Sequence, residues 1–377
     1  MGSRSSHTDT ELAGMRRPVR LPRRGHRLSQ VLPRARLRYL LHQATRLRVV
    51  VLGDFFLDAY YDCDPRLNEP SIETGLTAYQ VVRTRQQAGA AGTVVANLAA
   101  LGCGHIDTIG FHGDDGNGFE LRRALDLLGA DTTHLIRTDQ RVTPTYGKPC
   151  LVEPEGRGGW RVARELERLD VKNRRPTPVA LQAELLRRFD SCLPEADAVI
   201  LVDQVSEANC GVLTTRIRRA AETAAGRRPD TVFLADSREK IAQYRQVSIK
   251  PNLSEAQAAI GDTSRGSATS GARSLRQLRS RRTRPCFCTM STHGMLVCDE
   301  TGDYHASAFP VTGPTDPVGA GDSTTAALVC MMAGGSSATE AALVANLVAS
   351  ITVQQIGTTG TATPQQVLRR HREIDPT

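Results

Sequence analysis

From Arg48 onward the chain alternates short, unbroken apolar runs with longer stretches whose apolar positions recur every three or four residues. Val49-Val50-Val51-Leu52 closes on Gly53-Asp54, and residues 105–111, 197–202, 231–235, 247–249 and 286–290 share its character. Such runs predict strands covered on both faces. Helical spacing predicts helices over 179–193 and 206–225, one ending at Gly129, one from Ser323 to Gly334-Gly335, one from Ser337 to Gln355, and a last one opening at Thr363-Pro364. Strands alternating with helices close by right-handed crossovers into a mostly parallel sheet with helices on both faces, an α/β architecture of three layers. Asp203 and Asp236 fall at strand ends, where such sheets bind ligands, although ordinary loop acids fit those places equally well.

Two stretches break the alternation. Residues 60–87 carry Pro65, Pro70, Gly75 and a β-rich run over 77–82, and residues 143–170 read as further strands. Within the second, 164–170 fits a charged helical surface as well. Residues 262–273, rich in Gly, Ser and Thr, read as a mobile loop before an Arg-heavy helix over 273–282.

At 377 residues and 40% apolar content the chain can bury a large core. Its net charge of +8 is uneven: residues 1–48 hold twelve Arg against Asp9 and Glu11. Residues 1–46 therefore read as a basic, disordered leader; a polyanion-binding tail is the sharper alternative. No run reaches membrane-span length, so no membrane partner is expected, and nucleic acid is not expected as one either. Nine scattered cysteines without a Cys-x-x-Cys pair point to a reducing cytoplasm and to no structural zinc.

The stretch with the most chemistry is Asp316-Pro317-Val318-Gly319-Ala320-Gly321-Asp322, which opens an apolar helix. A Gly-Ala-Gly turn at a helix start presents unpaired N–H groups at the positive end of the helix dipole, an anion site by construction. A carboxylate at its rim suits a proton acceptor working while the amides of Gly319, Ala320 and Gly321 hold the charge on a transferring phosphoryl group. Taken alone, these four residues fit a tight turn with a solvated acid equally well.

The longer pattern, acid-Pro-x-Gly-Ala-Gly-Asp followed after three residues by Ala326-Ala327-Leu328-Val329, resembles the C-terminal signature of the PfkB (ribokinase-like) sugar kinases. Further likeness lies in Gly53-Asp54-x-x-Leu57-Asp58, in Ala96-Asn97-Leu98-Ala99-Ala100-Leu101-Gly102 and in Lys250-Pro251-Asn252-Leu253-Ser254-Glu255. It covers about residues 48–370 and is strongest toward the kinase domain that phosphorylates D-glycero-D-manno-heptose 7-phosphate.

The resemblance implies a ribokinase-like three-layer sandwich over 47–372, with a small β-sheet lid from residues 60–87 and 143–170. It implies ATP and Mg²⁺, Asp322 as catalytic base, Asp58 gripping sugar hydroxyls, and Gly89 and Thr93 at the sugar. Thr289, Ser291 and Gly294 would meet the nucleotide phosphates and Asn346 the adenine, while Asn252 and Glu255 would organise Mg²⁺. Two positions depart from the pattern: Ala90 stands where a second Gly is usual, and Thr93 where an Asn is.

The expected activity is transfer of the γ-phosphoryl group of ATP to a hydroxyl of a sugar or sugar phosphate, in the cytoplasm, with a homodimer compatible. A same-fold kinase for a fructose phosphate, ribose or nucleoside stays open, as does a non-catalytic sugar- or nucleotide-sensing protein.

Overall fold

The computed structural model describes residues 28–156, 158–263 and 268–376. The chain starts with α1 (Leu28–Val31) and α2 (Arg34–Ala44), then enters β1 (Arg48–Gly53). Val49 to Leu52 are fully buried, and β1 pairs in parallel with β6 (His105–Gly113) on one side and β11 (Ala198–Asp203) on the other. Around this centre run β7 (Leu135–Thr138), β12 (Val232–Ser237), β13 (Ser248–Ile249), β14 (Cys286–Thr289), β15 (Met295–Cys298) and β16 (Asp303–Ala306). The nine strands lie in the order β16-β15-β14-β13-β12-β11-β1-β6-β7; β15 is antiparallel to both its neighbours and every other pairing is parallel.

Helices cover both faces, as apolar strands without alternation require. One face packs against α2, α3 (Ala91–Ala100), α9 (Ala320–Ala333), α10 (Ala338–Thr352) and α11 (Pro364–Ile374). The other packs against α5 (Val179–Cys192), α6 (Thr215–Arg227) and α8 (Ala268–Arg279). Two further helices, α4 (Gly116–Leu127) and α7 (Leu253–Ala258), follow strands β6 and β13.

A single residue, Asp54, separates β1 from β2 (Phe55–Cys63), which leaves the central sheet and enters a second one. There β2 pairs antiparallel with β5 (Val81–Ala90) and parallel with β8 (Thr145–Glu155), to which β9 (Gly159–Glu165) and β10 (Leu169–Val171) add. A two-stranded ribbon, β3 (Glu69–Pro70) with β4 (Thr77–Ala78), sits within the first lid segment. The charged helix open for 164–170 does not form; β9 and β10 occupy it.

Three boundaries differ from expectation. Residues 1–27 of the expected leader lie outside the described residues, but from Leu28 onward it is folded. Leu37, Leu40, Leu41 and Ala44 form an i, i+3, i+4, i+7 stripe buried in the core, hidden in the sequence among Arg34, Arg36 and Arg38. Residues 206–214, expected as helix, form a loop instead, because the Asp54 carboxylate takes the amides of Gln204 (2.8 Å), Val205 (3.1 Å) and Val212 (2.7 Å). The helix starts only where Thr214 caps it. Residues 268–273, expected as loop, belong to α8; residues 264–267 lie outside the described residues.

Ala90 caps α3 with φ +53° and ψ −115°, which shows why the pattern it departs from has glycine there. Ala90→Gly is expected to stabilise the fold by about 1 kcal/mol by removing this strain. An unchanged urea midpoint would contradict that.

Candidate active site

The carboxyl ends of the central strands and the start of α9 converge. Gly319 takes the left-handed conformation (φ +79°) and turns the chain into the helix. Asp316 fixes this turn by accepting from the amides of Val318 (3.0 Å) and Gly357 (3.0 Å). Of the amides expected to face an anion, that of Ala320 is used locally, on the carbonyl of Pro317 (3.1 Å). This corrects the expected trio. Among the described residues those of Gly319, Gly321 and Asp322 have no main-chain acceptor, so the free donors are these three.

Beside them stands Lys250, at the end of β13 and buried. Its ammonium lies 3.0 Å from Asp236 Oδ2, and a Cβ on Gly321 would sit 3.7 Å from it. Asp236 Oδ2 also accepts from Thr325 Oγ1 (2.7 Å), one turn along α9 from Asp322, so the helix is tied to the end of β12. Burial would push Lys250 down, but Asp236, Glu255 and Asp322 outweigh it and hold the ammonium above its ordinary range. The Asp322 carboxyl is pushed up to about 7, first by burial and then by Asp236, against the pull of Lys250 and Arg238. A carboxylate with that affinity for protons is matched to accept one near neutral pH.

Asp58, on β2, lies within electrostatic reach of Asp322 and is buried. Its Oδ2 sits 3.3 Å from Lys148 Nζ, which also donates to Tyr60 OH (3.1 Å). Burial pulls Lys148 down; Asp58 and Tyr60 more than offset it. Gly89 lies diagonal to Asp58 across the β2–β5 pair, and a Cβ there would lie 2.9 Å from the Asp58 Cγ. Thr93 is buried in the first turn of α3, its carbonyl accepting from Asn97 Nδ2 (3.0 Å). We expect Gly89→Ala to push the Asp58 carboxylate aside and raise KM for the acceptor by about tenfold or more, with KM for ATP unchanged. Equal changes in both constants would refute that division of labour.

The remaining expected residues form a second group. Thr289 ends β14 and donates its amide to Pro251 O (3.0 Å), which sets the 289–294 turn against the start of α7. Gly294 (φ +87°) closes this turn, where a Cβ would lie only 2.2 Å from Ala306 O, and Ser291 is exposed on it. Asn346 is buried and donates to the carbonyls of Ala306 (2.8 Å) and Ser307 (3.1 Å), so its amide braces the end of β16.

Asn252 and Glu255 form a capping box on α7: Asn252 Oδ1 accepts from the Glu255 amide (2.9 Å) and Glu255 Oε2 from the Asn252 amide (2.8 Å). Glu255 Oε1 takes no part in the box, and burial, helped by Asp236, raises this carboxyl despite Lys250. Oxygen-only donors with one carboxylate oxygen to spare fit Mg²⁺, which keeps most of its water.

Sequence reasoning missed Lys148, Lys250 and the Asp236–Thr325 tie. A signal existed: only four lysines stand among 44 arginines. Two of them, at 148 and 250, are buried against acids, and Lys240 is half-buried against Asp203, places that suit a compact ammonium. Asp203, by contrast, is spent on structure, accepting from Ser237 Oγ, Tyr244 OH and Lys240 Nζ.

A parallel sheet with a β-sheet lid, and a helix-start carboxylate beside free main-chain donors, define a ribokinase-like kinase fold. The profile of the pfkB family carbohydrate kinases matches residues 47–366, and the chain belongs to that family. It is 28% identical over 342 residues to the bifunctional protein HldE of Trichlorobacter lovleyi, covering 89% of this chain and 66% of that one. The HldE of Methylococcus capsulatus is 30% identical over 342 residues, covering 87% and 65%. The chain thus spans slightly under two thirds of the length of these relatives.

Among solved structures, the Arabidopsis thaliana ribokinase complexed with ribose and ATP matches with a TM-score of 0.62 at 17% identity, over 86% of this chain and 98% of that one. The Cryptococcus neoformans ribokinase in complex with ADP gives 0.60 at 18%, over 86% and 99%. Both likenesses are of fold. Among the described residues no helix is long and apolar enough to cross a membrane.

Proposed function

We propose that the protein transfers the γ-phosphoryl group of ATP to a hydroxyl of a sugar phosphate, a heptose phosphate first among the candidates. The observation that carries this is the grouping at the head of α9: a carboxyl poised at about 7, three free amides and a buried ammonium. Asp322 accepts the proton of the acceptor hydroxyl as its oxygen attacks. The amides of Gly319, Gly321 and Asp322, with Lys250, hold the charge of the phosphoryl group in flight, as preorganised donors do without reorienting. Asp58, fixed by Lys148, grips the acceptor diol through its two oxygens. Glu255 and Asn252 would hold Mg²⁺ through water, supplying charge neutralisation at the ATP phosphates.

Two features support a phosphorylated acceptor. The likeness to HldE covers 89% of the chain, and two cations with one acid between them stand at the lid. Arg168 stacks 4.0 Å from the centre of the Tyr146 ring, Lys172 lies 5.8 Å from the same ring, and both reach Asp170 (2.6 and 3.7 Å), which leaves one positive charge over near Asp58. The test is ADP production across a panel of sugars and sugar phosphates, with fructose phosphate, ribose and nucleosides included. The expected result is the largest kcat/KM for a heptose phosphate. Turnover greatest for an unphosphorylated sugar or nucleoside would reassign the acceptor. No ADP with any acceptor, while ATP still binds, would leave the sensing role.

A further inference from the structure

At the opposite end of the central sheet, where β6 begins, five metal-ligating side chains from separate elements meet. His105 and Asp107 are the first and third residues of β6, Asp131 and His134 come from the connection between α4 and β7, and Cys192 is the last residue of α5. One ligand atom each from Asp107, His134 and Cys192 lies within 4.8 Å of the others, and the same holds for His105, Asp107 and Asp131. Asp107 belongs to both sets and is fully buried; Cys192 is buried and His134 is half-buried. Nothing in phosphoryl transfer uses this cluster, which lies at the amino end of a strand whose carboxyl end faces the kinase site.

We propose that this cluster is a second metal site, for a Zn²⁺-class ion held by Asp107, His134 and Cys192, with His105 or water completing the shell. Thiolate, imidazole and carboxylate together select a borderline-soft ion over Mg²⁺ or Ca²⁺, so the ion differs in kind from the one that accompanies ATP. Tetrahedral Zn²⁺ with bonds of about 2.0–2.3 Å spaces its ligand atoms by roughly 3.5 Å, within a rotamer adjustment of the present spacing.

The local charge permits it. Arg48 lies 2.8 Å and 3.0 Å from the Asp107 oxygens but also 2.5 Å from Glu195, so it keeps a carboxylate partner while Asp107 turns one oxygen to the ion. Asp131 lies 3.8 Å from His105 Nε2 and can orient that ring once Asp107 is engaged. On binding, the Cys192 S–H bond breaks, the sulfur's electron pair goes to the ion and the proton to solvent. The bound ion would add a side-chain link among β6, the turn before β7 and the end of α5, which main-chain bonds at Asp131 (2.8 Å to Ile106 O, 3.0 Å from the Thr108 amide) and the Arg188–Thr133 bond (2.9 Å) already join. The ligands are scattered from 105 to 192 without a short-range motif, which is why the sequence pointed to no structural zinc.

The test uses the full chain, tag removed and purified without chelator, in the absence of ATP and Mg²⁺. Elemental analysis is expected to find close to one zinc per chain. After stripping, Co²⁺ should bind at one equivalent with tetrahedral d–d bands and a thiolate-to-cobalt charge-transfer band. Cys192→Ser should abolish the charge-transfer band, and His134→Ala should weaken Co²⁺ binding by about tenfold or more. Both variants should keep the circular dichroism of the wild type and its Mg²⁺-dependent ADP production. Absence of saturable one-to-one binding by the wild type would overturn the site, as would a charge-transfer band that survives Cys192→Ser. Either outcome leaves the kinase reading untouched, since no turnover enters the measurement.

Discussion

Asp322→Asn is expected to fold, bind ATP with wild-type affinity and lose on the order of 10³-fold in kcat, because it keeps the shape and removes the proton acceptor. The wild-type rate should rise with pH through a midpoint at about 7, where the carboxyl ionises, and the residual rate of the variant should lack that step. Stability supplies an independent check with a definite sign. The carboxyl titrates at about 7 when folded, against about 3.9 when unfolded, so the unfolded chain releases this proton first. Stability therefore falls as pH rises between those values, and Asn at 322 removes the loss. Above about pH 7 the variant should melt no lower than the wild type. A variant with near wild-type turnover would refute the base assignment; one that melts early would show that Asp322 is chiefly structural.

Lys250→Met is expected to be the second most damaging change, with kcat down by about 10²–10³-fold and the midpoint of the pH–rate curve displaced upward. The direction follows from the charges: Lys250 now lowers the proton affinity of Asp322, and without it only Arg238 opposes the rise that burial, Asp236 and Asp58 cause. The variant should also be destabilised at neutral pH, where Asp236 and Glu255 face each other without their cation, and should recover as pH falls and Glu255, already raised by burial, protonates. In the wild type the ammonium, held above its ordinary range, contributes stability that is complete below about pH 10.4 and is lost as pH climbs through the higher folded value. A pH–rate midpoint unmoved in the variant would place Lys250 outside the base's electrostatic field.

The architecture was legible because apolar runs such as Val49 to Leu52 have one plausible fate, and because Gly319 and Gly321 punctuate a helix start unambiguously. Where the sequence misled, a distant group decided the local structure. Residues 206–214 carry helical spacing, yet the buried Asp54 carboxylate, pushed up to about 6 by burial and then by Asp203, collects the amide of Val212 among them and those of Gln204 and Val205 just before. No window around residue 210 contains that information. Ala320 failed as an anion donor for a similar reason: whether a helix-start amide is free depends on where the preceding proline carbonyl points. Lys148 and Lys250 were visible in principle, since a chain that otherwise uses arginine retains lysine where a small buried cation is required.

The helix α2 carries a practical consequence. Its Leu40 and Gln43 lie against Gly334, at the foot of the helix whose head bears Asp322, and its Arg36 clasps Glu340. His371 and Asp375, from the far end of the chain, close over the same region by bonding Leu32 and Ser29. A truncation at residue 46, made to shed basic residues, would strip this footing and loosen the helix that carries Asp322 from below. Trimming that spares activity has to stop ahead of Leu28.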